Sequence, residues 1–233
     1  NGRLSIPLCK GTISVTSEIG VYERSRAKLR HDFHVYPNGI TYDLAPVPDH
    51  RGSIPELLFV AGGFAHWHGL DLLLSALRDA PHLSLRLHIV GNINDADKAQ
   101  ASADPRICVH GRLDQAAIRG IAGRCWIGVG SLGLFRQKMT EACTLKVREY
   151  LVMGLPVYSG HRDVFPEHFE FYKHGNVDLS CLLEFARAAR AISRSQVAGA
   201  SKRYIEKSQL VAQLRAFLQS RVTELDEAQP RPR

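Results

Sequence analysis

An α/β fold, a parallel sheet with flanking helices, is what this sequence predicts. Two observations carry the prediction. Short apolar runs at 57–61, 85–90, 106–109, 125–129 and 156–159 read as strands. Between most of them lie stretches of helical character about 10–15 residues long, an alternation that gives βαβ units. Such sheets bind ligands at the carboxyl ends of their strands, near the point where strand order reverses. The loops 62–69, 91–95, 110–114, 130–144 and 159–165 are therefore the places to search.

Each element follows from local chemistry. The β-branched run 12–16 is a strand, and Ser17 is the expected N-cap of a helix with Glu18 in its first turn, running to about His31. Phe33–Tyr36 is a short strand closed by the turn Pro37-Asn38-Gly39. Pro46, Pro48, Gly52 and Pro55 mark a linker. After strand 57–61, leucines at 70, 72, 73, 74 and 77 predict a helix. Strand 85–90 is followed by a polar, Asn- and Asp-rich segment read as loop. Asp114 caps a helix over 115–124, and another spans 142–153 with Gly154 as its stop. Helices are expected at 177–192 and 207–224, and a frayed tail at 229–233.

Composition narrows the function classes. The chain has 233 residues, 45% hydrophobic and 23% charged, with 30 basic against 23 acidic residues for a net +7. That excludes wholesale disorder and does not by itself mark a nucleic-acid binder, since no nucleic-acid motif accompanies the charge. No apolar run reaches the roughly 18 residues of a membrane span. Five cysteines, at 9, 108, 125, 143 and 181, include no CxxC pair, so neither a disulfide framework nor a zinc site is expected. His66-x-His68 lacks a third ligand nearby, so no metal is assigned. The first residues do not read as a signal peptide, and the chain is expected to begin inside a longer protein.

The most informative stretch is Glu141-Ala-Cys-Thr-Leu-Lys-Val-Arg-Glu149, which continues Tyr150-Leu-Val-Met-Gly-Leu-Pro-Val157. Eight helical steps separate the two carboxylates by about 12 Å, too far for a glycosidase pair at about 5–9.5 Å. They suit opposite ends of an extended ligand. Helix-start amides at Cys143–Leu145 between them suit an anion. A diphosphate joining two hydroxyl-rich groups has that shape.

Glu141–Val157 resembles the Glu-x7-Glu signature of glycosyltransferase family 4. The runs Leu58–Leu74, Leu87–Gly91 and Val109–Arg112 resemble further segments of that family in the same order, as do Val15–Glu18 and Val35–Ile40 upstream. The resemblance covers about residues 12–165. It implies a GT-B architecture: a Rossmann-like donor-binding domain at 56–206, a remnant of the acceptor domain at 1–45, a linker at 46–55, and a crossing helix and tail at 207–233. It implies a retaining, metal-independent, hexosyltransferase-like enzyme without cofactor, its substrate a nucleotide-diphosphate sugar and its acceptor a glycan or lipid-linked hydroxyl. By position, Glu141 would contact the donor sugar, Glu149 the ribose, Thr144 and Leu145 the diphosphate through their amides, and Arg112 and Leu113 the base. This stretch alone would be inactive. Unpaired cysteines make a cytoplasmic location the expectation, and the basic helix around Arg24 allows a peripheral place at the inner membrane face.

One departure stands out. The family places Arg and Lys in the loop after the first donor-domain strand, beside Gly62, where this chain has Gly63 and His68. His68 serves only if protonated. Lys138 and Lys146 offer lasting charge, Lys146 more directly. The basic helix around Arg24, Arg26, Lys28 and Arg30 admits an anionic membrane as partner. Two alternatives stay open, a non-catalytic nucleotide binder and a GT-B nucleotide-sugar epimerase.

Overall fold

A computed structural model describes residues 11–28, 33–41 and 45–228. Arg30, His31 and Cys9, with the tail 229–233, lie outside the described residues. Strand β1 (Thr12–Ser14), helix α1 (Ser17–Arg26) and strand β2 (Phe33–Val35) form a small βαβ unit whose strands pair in parallel, Thr12 opposite Phe33. Thr16, not Ser17, caps α1, accepting the Ile19 N–H, and the helix stops at Arg26 because Lys28 takes a left-handed conformation.

The main sheet holds β3 (Glu56–Gly63), β4 (Arg86–Asn92), β5 (Ile107–Val109), β6 (Ile127–Val129), β7 (Val157–Ser159) and β8 (Tyr172–His174). Its order is β5-β4-β3-β6-β7-β8 with every pair parallel. Counted from β3 this is 3-2-1-4-5-6, the doubly wound Rossmann order. Strand order reverses between β3 and β6, so the carboxyl ends of those strands define the crevice.

Helices cover both faces. They are α2 (Leu70–Asp79), α3 (Asp95–Ser102), α4 (Gln115–Ala122), α5 (Leu145–Val152), α6 (Leu179–Arg190), α7 (Arg194–Ile205) and α8 (Lys207–Ala228). Alternate residues of β3 go to opposite cores, as the pleat requires. Leu57 and Phe59 join Leu73, Leu77, Leu182 and Leu183 on one face. Leu58 joins Val147, Leu151 and Val197 on the other.

Helix α3 forms where the sequence read as loop, because Asn94 caps it by accepting the Asp97 N–H. Helix α7 and strand β8 add to the elements that the sequence predicts. Helix α8 returns to the N-terminal unit: the Lys207 N–H donates to the Ile40 carbonyl at 3.0 Å, and Phe217 stacks on His34 at 4.2 Å.

Three arginines close helix ends from within. Arg51 donates to the Ala189 and Ile192 carbonyls beyond α6. Arg106 donates to the Leu77, Ala80 and Leu83 carbonyls beyond α2. Arg194 reaches the Ala122, Gly123 and Cys125 carbonyls beyond α4. Cations suit these negative helix ends.

Candidate functional site

Two loops flank the crevice. Strand β3 ends in Gly62 and Gly63, where an added β-carbon would meet open space, and the loop after it begins at Phe64. That loop ends in a 3-10 turn, His66–His68. The loop after β6 runs to the signature helix α5. The loops are bolted together. The Leu132 N–H donates to the His68 carbonyl at 2.8 Å, and Arg136 donates to the His66 carbonyl at 2.7 Å while pairing with both oxygens of Asp71 at 2.8 Å. Gly69, at φ +71, lies so close to Gly133 that a β-carbon would fall 2.6 Å from its nitrogen. The site is therefore largely preformed.

His68 does not supply the charge that the sequence left open for it. It is buried, and its Nδ1 accepts the Ala65 N–H at 2.9 Å. Burial, with the neighbouring Lys146 charge, pushes it down to about 4. It is neutral and offers Nε2 only. Lys138 stands exposed at the left-handed end of the 134–137 turn.

Helix α5 carries most of the site. Its seating is fixed by Tyr150, fully buried, whose hydroxyl accepts the Val60 N–H at 2.7 Å. It is also fixed by the buried pair Arg148–Asp163, whose Nη2–Oδ1 separation is 2.7 Å. Asp163 is thus the internal counter-ion of Arg148. Thr144 precedes α5 with extended backbone but makes no side-chain cap. By contrast, α1, α3, α4, α6 and α7 each have one. The first-turn amides of α5, at Leu145 and Lys146, are left without that acceptor, as suits a helix start meant for an anion.

Thr144 Oγ1 and Lys146 Nζ, at that helix start, are buried with no hydrogen-bond partner among the described residues, as are Ser131 Oγ after β6 and His161 Nε2 after β7, the latter near enough to Lys146 to feel its charge. Each such group costs about 1–3 kcal/mol. Lys146 Nζ lies 5.3 Å from the centre of the Phe59 ring. Burial pulls it down to about 7, against the nearby Glu149 carboxylate. His161 turns Nδ1 to the Arg162 carbonyl at 3.0 Å, and burial keeps it neutral, so its free Nε2 accepts. At the α5 start, the Thr144 hydroxyl and the Lys146 amine are free to donate to the oxygens of an anion.

Glu149 edges a cavity of about 370 Å³ lined also by Val60, Gln115, Ile118, Arg119 and Met153. Partial burial holds its carboxyl above the usual carboxylate range, with the Lys146 charge opposing this only in part. Arg112 is exposed and Leu113 packs against the core, so neither lines this cavity. The α4 side chains, which the sequence did not single out, line it instead. Glu141 stands at the far end of the signature, where residues 140–142 are stitched to Arg162 by Ala142 N–H to Arg162 O (3.0 Å) and Arg162 N–H to Thr140 O (2.9 Å). Among the described residues no three His, Cys, Asp or Glu side chains gather as metal ligands.

This arrangement, a doubly wound parallel sheet with a βαβ piece of a second unit, matches one half of the GT-B fold. Solved structures of that class match it. Lipopolysaccharide outer core galactosyltransferase WaaB matches with a TM-score of 0.67 and 14% identity, over 91% of this chain and 62% of that one. Sucrose-phosphate synthase from Thermosynechococcus elongatus matches with 0.67 and 15%, over 95% and 61%. Anabaena HepE, in complex with UDP and glucose, matches with 0.60 and 14%, over 94% and 66%. The chain thus spans about three fifths of the length of WaaB. No protein-family model and no curated protein matches the sequence.

Proposed function

We propose that the chain is the donor-binding half of a retaining glycosyltransferase that moves a sugar from a nucleotide-diphosphate sugar to an acceptor hydroxyl of a glycan or lipid-linked substrate. The observation that carries this reading is the uncapped start of α5, where the buried Thr144 hydroxyl and Lys146 amine have no hydrogen-bond partner among the described residues. The diphosphate would lie on the α5 amides with Lys146 replacing the family's loop cation. The ribose would meet Glu149, with the base beyond it in the cavity lined by Gln115 and Arg119. The donor sugar would meet Glu141. Charge building on the departing diphosphate is then stabilised by groups already in place. Residues 1–45 belong, in this reading, to the acceptor domain, and the exposed Val21 and Tyr22 beside Arg26 would face an anionic membrane carrying the acceptor.

A nucleotide-binding module without turnover is the second reading, favoured by Gly63 and neutral His68 at the usual clamp positions. Thermal shift with UDP, GDP, ADP and their sugars tests the shared part. One nucleotide should stabilise the chain, and Lys146→Met should abolish the shift. No shift with any of them overturns both readings. Sugar transfer by the full-length protein that is lost in Glu141→Ala supports the enzyme; binding without transfer leaves the module.

A further inference from the structure

The N-terminal unit holds the signature loop by two carboxylates that grip each other's backbone. Glu18 accepts the Thr140 N–H at 2.9 Å, the Thr140 hydroxyl at 3.2 Å and the Glu141 N–H at 2.8 Å. In return Oε2 of Glu141 accepts the Glu18 N–H at 2.8 Å. Glu141 is thereby a second cap on α1, taking the amide next to the one Thr16 takes. Among the described residues Oε2 alone is engaged, so Oε1 faces no hydrogen-bond donor there. Burial pushes the Glu18 carboxyl up, but the Glu141 and Thr140 amides outweigh it and, with the Arg162 charge, hold it below the usual carboxylate range. A second tie lies beside the first, where the Asn38 N–H donates to Cys143 Sγ at 3.0 Å and Arg148 Nε donates to the Asn38 carbonyl at 3.0 Å.

We infer that Glu18 is a positioning residue for the donor-sugar end of the site: its carboxylate fixes the Thr140–Glu141 backbone, and its amide aims the Glu141 carboxylate. The sugar-end part rests on the reading under Proposed function; the clamp itself does not. The nucleotide end lies beyond Lys146, toward Glu149, and owes nothing to Glu18. The role therefore divides the ligand in two. Loss of the clamp should loosen the sugar contact and spare the nucleoside diphosphate.

The test compares wild type, Glu18→Ala and Glu18→Gln by amide hydrogen exchange and by affinity for UDP and for UDP-glucose. In Glu18→Ala, the Thr140 and Glu141 amides should exchange about tenfold faster or more, since each loses a charged hydrogen bond. UDP affinity should stay within about twofold, while any gain in affinity from the glucosyl group disappears. Glu18→Gln keeps an acceptor oxygen and should restore part of both effects; it carries the same comparison if Glu18→Ala does not fold. Unchanged exchange at Thr140 and Glu141 overturns the proposal. So does a loss of UDP affinity equal to that of UDP-glucose, which marks general unfolding. If the wild type binds neither probe, or gains nothing from the glucose, the functional reading is what fails, and exchange alone decides the clamp.

Discussion

Lys146 is the residue whose charge state the fold leaves most finely balanced. Its folded value near 7 lies below the ordinary lysine value of 10.5. The sign follows directly. Between the two values the folded chain holds a neutral amine where the unfolded chain holds a cation, so the free protein loses stability as pH falls toward 7. An anionic ligand reverses the balance, because it favours the ammonium and draws a proton in on binding. Affinity for a nucleotide-diphosphate sugar, whose diphosphate diester has no group titrating near 7, should therefore fall as pH rises from about 6 to about 9, a window set by the value near 7. Lys146→Met should bind weakly with a flat profile. Titration calorimetry across that range checks it. His68, held near 4, contributes nothing to this slope.

At the scale of elements, the informative contrast is between helix starts. Asp114 caps α4 by accepting the Ala117 N–H at 2.8 Å, whereas Thr144 makes no capping bond to α5. Asp114→Ala should cost about 1 kcal/mol. Thr144→Ala should cost less than about 0.5 kcal/mol in the free protein, since it removes an unpartnered hydroxyl, and should weaken ligand binding instead. Denaturant melts with and without UDP separate the two. Such local chemistry was legible in the sequence: Asp114, Gly154 and the β3–α2 alternation all read correctly. Helix α7 was not, because Arg194-Ser-Gln carries its apolar face on only a few residues, Val197, Ala198 and Ile205. Nor was α3, whose Asp-rich start reads as loop until Asn94 is seen to cap it. Spacing drew notice to the glutamates at 141 and 149, and the family resemblance gave them their expected roles. The partners Asp163, His161 and Glu18 could not be found by spacing, because they reach the site only through strand order and domain contact.

On the scale of the whole molecule, α8 ties the two units. The Lys207 N–H bonds the Ile40 carbonyl, Leu210 sits against Gly39, and Phe217 covers His34. A chain ended after Glu206 should keep its main sheet but lose amide protection over 33–41, with β3 and β6 unchanged. Hydrogen exchange resolved by segment reads this directly.

The arginines at the helix ends carry a further consequence, for substitution rather than stability. Arg51, Arg106 and Arg194 each spread one planar fork over several carbonyl oxygens. A lysine there keeps the formal charge of +7 but cannot span the same acceptors. Two sequences of identical net charge would then differ in how many helices end satisfied. For an engineer recoding this chain, arginine and lysine are separate letters at these positions, whatever the charge count says.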